Sequence, residues 1–194
     1  MSKSGQSASK KERNKTIRWV LTIFIVTILV SGTISFTSDI LMANSSMLVA
    51  FIILLAIVLI GIIFDVIGVA VTSADERPFH SMAARKVPGA QEAIRLLRNA
   101  ERVSSICNDV VGDICGVVSG SASATIAAQV MKNFELSVEA LIPLLMSALV
   151  AGLTVGGKAI GKTFAMRSCT NIVHNVGKIS WVFHHLPQII KKRK

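Results

Sequence analysis

The sequence predicts an all-α, polytopic membrane protein with four transmembrane helices and two amphipathic juxtamembrane helices. Four apolar runs, at 17–36, 47–72, 103–131 and 136–157, provide the roughly 20 helical residues that a hydrocarbon core of about 30 Å requires. Hydrophobic residues make up 52% of the 194-residue chain, and its mean hydropathy is +0.61, which is high for a soluble domain. Twenty of the 21 lysine and arginine residues fall on one side of a membrane crossed by these runs.

The basic residues predict the orientation of the chain. Six lie at or before the start of the first run, six lie between the second and third runs, and eight follow the fourth; Lys132 is the exception. Under the positive-inside rule both termini and the loop at 73–102 are cytoplasmic, as expected for a multi-pass protein of the cytoplasmic membrane. The net charge of +10 then indicates contact with anionic lipid headgroups. We expect no nucleic-acid partner, because no nucleic-acid motif is present.

The chain divides into four predicted segments. Residues 1–16 are a disordered basic tail, 17–36 an extra N-terminal transmembrane helix, 47–186 the main transmembrane domain with its juxtamembrane helices, and 187–194 a basic tail. Apolar residues recur at helical spacing among arginines at 90–102, and the segment 162–190 mixes apolar and basic residues in a similar way. Both are predicted to be amphipathic helices on the membrane surface. No segment outside the membrane is long enough for a catalytic domain, so we expect no enzyme.

Carboxylates within the apolar runs are the strongest indication of a functional site, because a charge at membrane depth costs several kcal/mol. Asp65 lies in the second run, and Asp109 and Asp113 lie one turn apart on one face of the third. Their distances from the helix ends place all three at a similar depth. Oxygen ligands suit Mg²⁺, which we predict as the bound or transported ion. The predicted ligand set is completed by Asn108, Ser105 and the backbone of Gly156 and Gly157.

Other interpretations of the same residues stay open. The polar side chains could hydrogen-bond across helices and hold the bundle together, or they could carry protons. Glycines on the helix faces predict close helix packing, and the alternative function is a non-transporting membrane adaptor or regulatory subunit that binds through such faces. The predicted packing residues are Gly112, Gly116, Gly120 and Gly152.

One apparent nucleotide motif is set aside. The letters GGKAIGKT at 156–163 spell a phosphate-binding loop. That loop needs a preceding strand and a surrounding parallel sheet, whereas here it follows an apolar helix. We interpret the spelling as a chance match.

Two segments are similar to a known family. GKAIGKTFA at 157–165 resembles the element that ends the last membrane helix of the CNNM/CorC (CorB) family of magnesium transporters. AIRLLRNAER at 93–102 resembles the stretch that follows the first helix of that family, and Gly112-Asp113 falls close to its Gly-Asn pair. The resemblance covers roughly 49–186 and implies a homodimer that binds Mg²⁺ between its membrane helices. The CBS domains of the family do not follow, so a separate regulatory subunit is a possible partner.

Three positions depart from the family pattern. Gly68 aligns with an acidic residue, Lys158 replaces a glutamate, and Gly161 replaces the helix-ending proline. Asp65 and Asp113 are expected to replace the lost ligands from neighbouring positions. The function that the sequence predicts is transport or binding of a divalent cation, Mg²⁺, at the cytoplasmic membrane.

Overall fold

The computed structural model describes residues 3–43, 45–134 and 141–191. The regular structure of these residues is helical and includes no strand, which confirms the all-α prediction. In chain order the elements are α1 (Lys3–Ala43), α2 (Met47–Ser73), α3 (Arg77–Ala84), α4 (Ala90–Arg98), α5 (Ala100–Ser105), a π-helical segment (Ile106–Gly112), α6 (Asp113–Phe134) and α7 (Leu141–Lys191).

Four helical stretches are long and apolar enough to cross a membrane: Ile17–Met42, Met47–Ser73, Ala100–Met131 and Leu141–His184. The first three coincide with the first three predicted runs apart from a few residues at their ends. The third stretch consists of α5, the π segment and most of α6 in series. The chain is therefore a multi-pass membrane protein.

Two boundaries differ from the prediction. Helix α1 begins at Lys3, so that residues 3–16 are helical where the sequence predicts a disordered tail. Helix α7 continues past Gly157, where the predicted fourth run ends, and reaches Lys191 with a kink at Ser168 (φ −118°, ψ 20°). The second predicted amphipathic helix is thus the distal half of α7. The start of the fourth run, at 136–140, and the end of the basic tail, at 192–194, lie outside the described residues.

Two contacts define the ends of the bundle. Arg102 lies over the ring of Trp19, 5.4 Å from its centroid, and this contact joins the start of the first span to α5. At the opposite end, Gln129 Nε2 donates a hydrogen bond of 3.3 Å to the carbonyl oxygen of Met42. Helices α1 and α6 therefore run in the same direction. We call the end that contains Trp19, Arg102, α3 and α4 the basic end.

At the basic end, α3 and α4 pack onto the ends of α2 and α7. The apolar face of α4, formed by Ala93, Ile94 and Leu97, is buried against α2, α3 and α7 in one cluster with Phe79 and Val173. Helix α4 lies within the segment 90–102, where the sequence predicts an amphipathic helix. Its apolar face is covered by protein, however, and not by a membrane surface, because α7 extends far enough to cover it.

Candidate functional site

Helix α2 approaches α6 and the π segment closely along one face. Gly61, Asp65 and Gly68 share this face through their i, i+4 and i+7 spacing. A Cβ atom at Gly61 would lie 2.9 Å from Cβ of Cys115, and one at Gly68 would meet the amide group of Asn108. Both glycines are therefore required for the close approach, and Asp65 is held between them at the helix interface.

Asp65 forms an ion pair with a lysine of α7. Lys158 Nζ lies 3.9 Å from Asp65 Oδ1, and the two side chains are 27% and 14% exposed. A Cβ atom at Gly112 would lie 3.4 Å from the same ammonium group, so Lys158 sits where α2, α7 and the end of the π segment meet. Asp65 is eight residues from the end of α2, roughly 12 Å along the helix. Lys158 is predicted to be one of the basic residues that flank the fourth run, whereas the structure places it within the bundle.

Glycines of α7 explain why Lys158 reaches that depth. Positions 157 and 161 flank the lysine and face α2. A Cβ atom at Gly157 would meet the side chain of Ile62, and one at Gly161 would lie 2.6 Å from Cγ2 of Val66. The missing side chains let the two backbones approach, and this carries Lys158 to Asp65.

The π segment carries the second part of the site. Ser105 Oγ donates a hydrogen bond of 2.7 Å to Asp109 Oδ2, and Asn108 Nδ2 donates one of 3.2 Å to Ser104 Oγ. The Oδ1 atom of Asn108 is buried and has no hydrogen-bond partner among the described residues. An unsatisfied buried acceptor costs about 1–3 kcal/mol, and π-helical turns occur frequently at functional sites. Because of this unsatisfied acceptor, Asn108 is the residue that most strongly indicates a functional site here.

The structure does not assemble the three predicted carboxylates. Asp109 and Asp113 are exposed on the outer face of the third span, whereas Asp65 faces Lys158. Among the described residues no group of three or more His, Cys, Asp or Glu side chains could hold a metal ion. What the structure brings together, on adjacent turns, is Asp65, Lys158 and Asn108.

The predicted glycines fall into two groups. Gly157 faces an apolar side chain of α2, and Gly112 is buried near Lys158. A Cβ atom at any of the remaining predicted glycines would meet nothing within 4 Å in the described part of the chain; these are Gly116, Gly120, Gly152 and Gly156. Three of the four predicted packing glycines, Gly116, Gly120 and Gly152, therefore have no close neighbour among the described residues.

The close contacts of Gly61 and Gly68 are not among the features that the sequence predicts. The signal that indicates them is their spacing about Asp65, since all three residues lie on one face of α2. Lys158 carries a similar signal, because it stands between Gly157 and Gly161 directly after an apolar run.

No protein-family model, curated protein or solved structure matches this chain. The resemblance to the CNNM/CorC family therefore stays a prediction that rests on the segments at 93–102 and 157–165.

Proposed function

We propose that this chain binds a divalent cation of the Mg²⁺ class at the polar layer between α2, the π segment and α7, and passes it across the membrane. The observation that carries the proposal is the buried Oδ1 atom of Asn108, to which no group in the described part of the chain donates a hydrogen bond. It contacts Gly68, one turn of α2 from Asp65. A cation is the partner that would satisfy both oxygens.

The available ligands suit a hard cation. A carboxylate oxygen is offered by Asp65 and an amide oxygen by Asn108. Mg²⁺ prefers oxygen ligands and keeps several of its waters, so a few protein oxygens are sufficient. This donor set agrees with the magnesium function that the CNNM/CorC resemblance implies.

Lys158 adds a condition to the proposal. Its ammonium group neutralises Asp65 in the cation-free form, because an unpaired carboxylate at this depth would be costly. A divalent cation that binds Asp65 must therefore displace Lys158. Replacing Lys158 with Met removes this competitor, and we expect the variant to bind Mg²⁺ more tightly than the unmodified protein.

The remaining parts of the proposal concern placement and assembly. The distribution of basic residues supports the cytoplasmic membrane, with both termini on the cytoplasmic side. A homodimer, implied by the family resemblance, would cover the outer face that carries Asp109 and Asp113. A separate regulatory subunit is a further partner under this proposal.

Mg²⁺ flux into proteoliposomes tests the proposal. Under an imposed Mg²⁺ gradient, Asp65→Asn and Asn108→Ala should each abolish flux. Asn108→Ala should do so without lowering the thermal unfolding midpoint, because it also removes the unsatisfied oxygen. The matched control is Asp75→Asn, since Asp75 is exposed beyond the end of α2. Absence of flux in folded, unmodified protein would contradict transport.

A non-transporting adaptor is the second candidate, and one observation favours it. Asp109 and Asp113 are exposed at membrane depth, where contact with lipid would be costly. A partner helix with basic or hydroxyl side chains would satisfy them. Under this alternative, replacing both residues with Asn should weaken a complex, while adding Mg²⁺ should change nothing.

A further inference from the structure

Helix α2 contacts both the third span and α7, and it provides a common scale of depth for them. The glycines of α2 meet the third span in reverse residue order, first at Cys115 and then at Asn108. The glycines of α7 meet α2 in the same residue order, first at Ile62 and then at Val66. The third span and α7 are therefore antiparallel.

Two opposite charges lie at the same level on this scale. Val66, which Gly161 contacts, is two residues before the glycine of α2 that contacts Asn108. At about 1.5 Å per helical residue, Lys162 and Asp109 then differ in depth by no more than about 2 Å. Val66 is seven residues from the end of α2, so this level lies roughly 10 Å inside that end.

Lys162 and Asp109 also lie on the same side of the bundle, where α7 meets the third span. Lys162 follows Lys158 by one helical turn, and Nζ of Lys158 lies 3.4 Å from the position of a Cβ atom at Gly112. Gly112 is three residues from Asp109 on the third span. Both Lys162 and Asp109 are exposed, so the two charges border one open surface.

The charges on this surface have no counter-charge in the described part of the chain. Ser105 Oγ donates a hydrogen bond to Asp109, but no ion pair in the described ranges includes Asp109, Asp113 or Lys162. A charge that faces lipid at this depth costs several kcal/mol. A partner that brings the opposite charge to the same depth would remove that cost.

Glycines of the same two helices leave room for a partner to approach. A Cβ atom at Gly116 or Gly120 of α6, or at Gly152 or Gly156 of α7, would meet no described atom within 4 Å. These positions lie farther from the basic end than the two charges. Small residues allow membrane helices to pack closely, so a protein helix fits this surface better than lipid chains do.

We propose that a second copy of this chain covers the surface, with Lys162 of each copy paired with Asp109 of the other. A two-fold axis along the membrane normal keeps every residue at its own depth. Because α7 and the third span stand side by side, this axis places α7 of one copy opposite the third span of the other. The inference deepens the homodimer of the proposed function, on which it rests, and it uses neither Asp65 nor Asn108.

Exchange of the two charges tests the proposal. Asp109→Lys and Lys162→Asp each place like charges at the contact, and each should halve the mass of the detergent-solubilised full chain in light scattering. The double variant restores opposite charges and should recover the dimer. The matched control is Lys178→Asp, because Lys178 is an exposed lysine of α7 away from this surface. Equal loss of the dimer in this control, no recovery in the double variant, or a monomeric unmodified protein would overturn the pairing.

Disulfide cross-linking in native membranes separates contacts between copies from contacts within one copy. The native cysteines Cys107, Cys115 and Cys169 are first replaced with Ser. Two chains with tags of different length are then co-expressed, one with Asp109→Cys and the other with Lys162→Cys, and we expect a mixed dimer. Cross-linking of Asp109→Cys only to itself would overturn the pairing, as would cross-linking only within a chain that carries both cysteines. Neither readout depends on Mg²⁺, so failure of the cation proposal leaves this test intact.

Discussion

At the scale of single residues, the ion pair between Asp65 and Lys158 determines the charge of the site. Each charge alone would be costly at this depth, and together they are tolerated because they neutralise each other. The separation of 3.9 Å is longer than a hydrogen bond, so the pair is held by charge more than by direct bonding. A competing cation can therefore replace the ammonium group without breaking a short hydrogen bond.

The first prediction concerns this pair. Asp65→Asn and Lys158→Met should each lower the free energy of unfolding by roughly 1–3 kcal/mol, because each leaves the partner charge uncompensated. The double variant should lose less than the sum, with a coupling of about 0.5–3 kcal/mol. Reversible unfolding in detergent, measured for all four proteins of the cycle, checks this. Strictly additive losses would show that the two charges do not interact.

At the scale of elements, the attachment of α4 to α7 depends on two glycines. A Cβ atom at Gly177 would lie 2.5 Å from the carbonyl oxygen of Gly89 and 3.0 Å from the backbone nitrogen of Ala93. These atoms belong to the backbone and cannot move aside without shifting α4. The contact therefore fixes the position of α4 on α7.

The second prediction follows from this contact. Gly177→Ala should lower the free energy of unfolding by about 1–3 kcal/mol, the usual cost of overpacking. Gly152→Ala is the matched control on the same helix, since a Cβ atom there meets nothing within 4 Å. It should be neutral or stabilising by up to about 1 kcal/mol through the higher helix propensity of alanine. Equal thermal unfolding midpoints for the two variants would argue against the close contact.

At the scale of the whole molecule, the outer face of the third span is incomplete in a single chain. Asp109, Asp113 and Gly120 are exposed on it, and Gly116 is half-buried. Small residues below two carboxylates form a surface that lipid chains cover poorly. Both proposed functions, a dimeric transporter and an adaptor, require that another membrane protein or a second copy covers this face.

The third prediction separates contacts within the chain from contacts between chains. Gly116→Leu should leave the fold of the single chain intact, because a Cβ atom there would have no described atom within 4 Å, and should disrupt the complex. Gly32→Leu on α1 is the control, as its surroundings are equally open. Light scattering of the detergent-solubilised protein gives the oligomeric state. The same mass for both variants and the unmodified protein would place the interface elsewhere.

The sequence by itself determined the class of the protein and the approximate position of each membrane span. The length and composition of the apolar runs suffice for this, because both are read directly along the chain. The α4 segment was also predictable from its periodicity. The sequence also predicts Asp65 and Asn108 as site residues, because polar groups within an apolar run are costly wherever they lie.

Only the tertiary structure decided which of these residues meet. Lys158 follows an apolar run as a flanking lysine does, and it becomes the partner of Asp65 because Gly157 and Gly161 let α7 approach α2. The π segment, which sets the direction of Asn108 and leaves Asp109 outside, has no signature in residue periodicity. Two helices approach closely only where their two surfaces fit each other. A single sequence shows which residues form each surface but not which two surfaces meet.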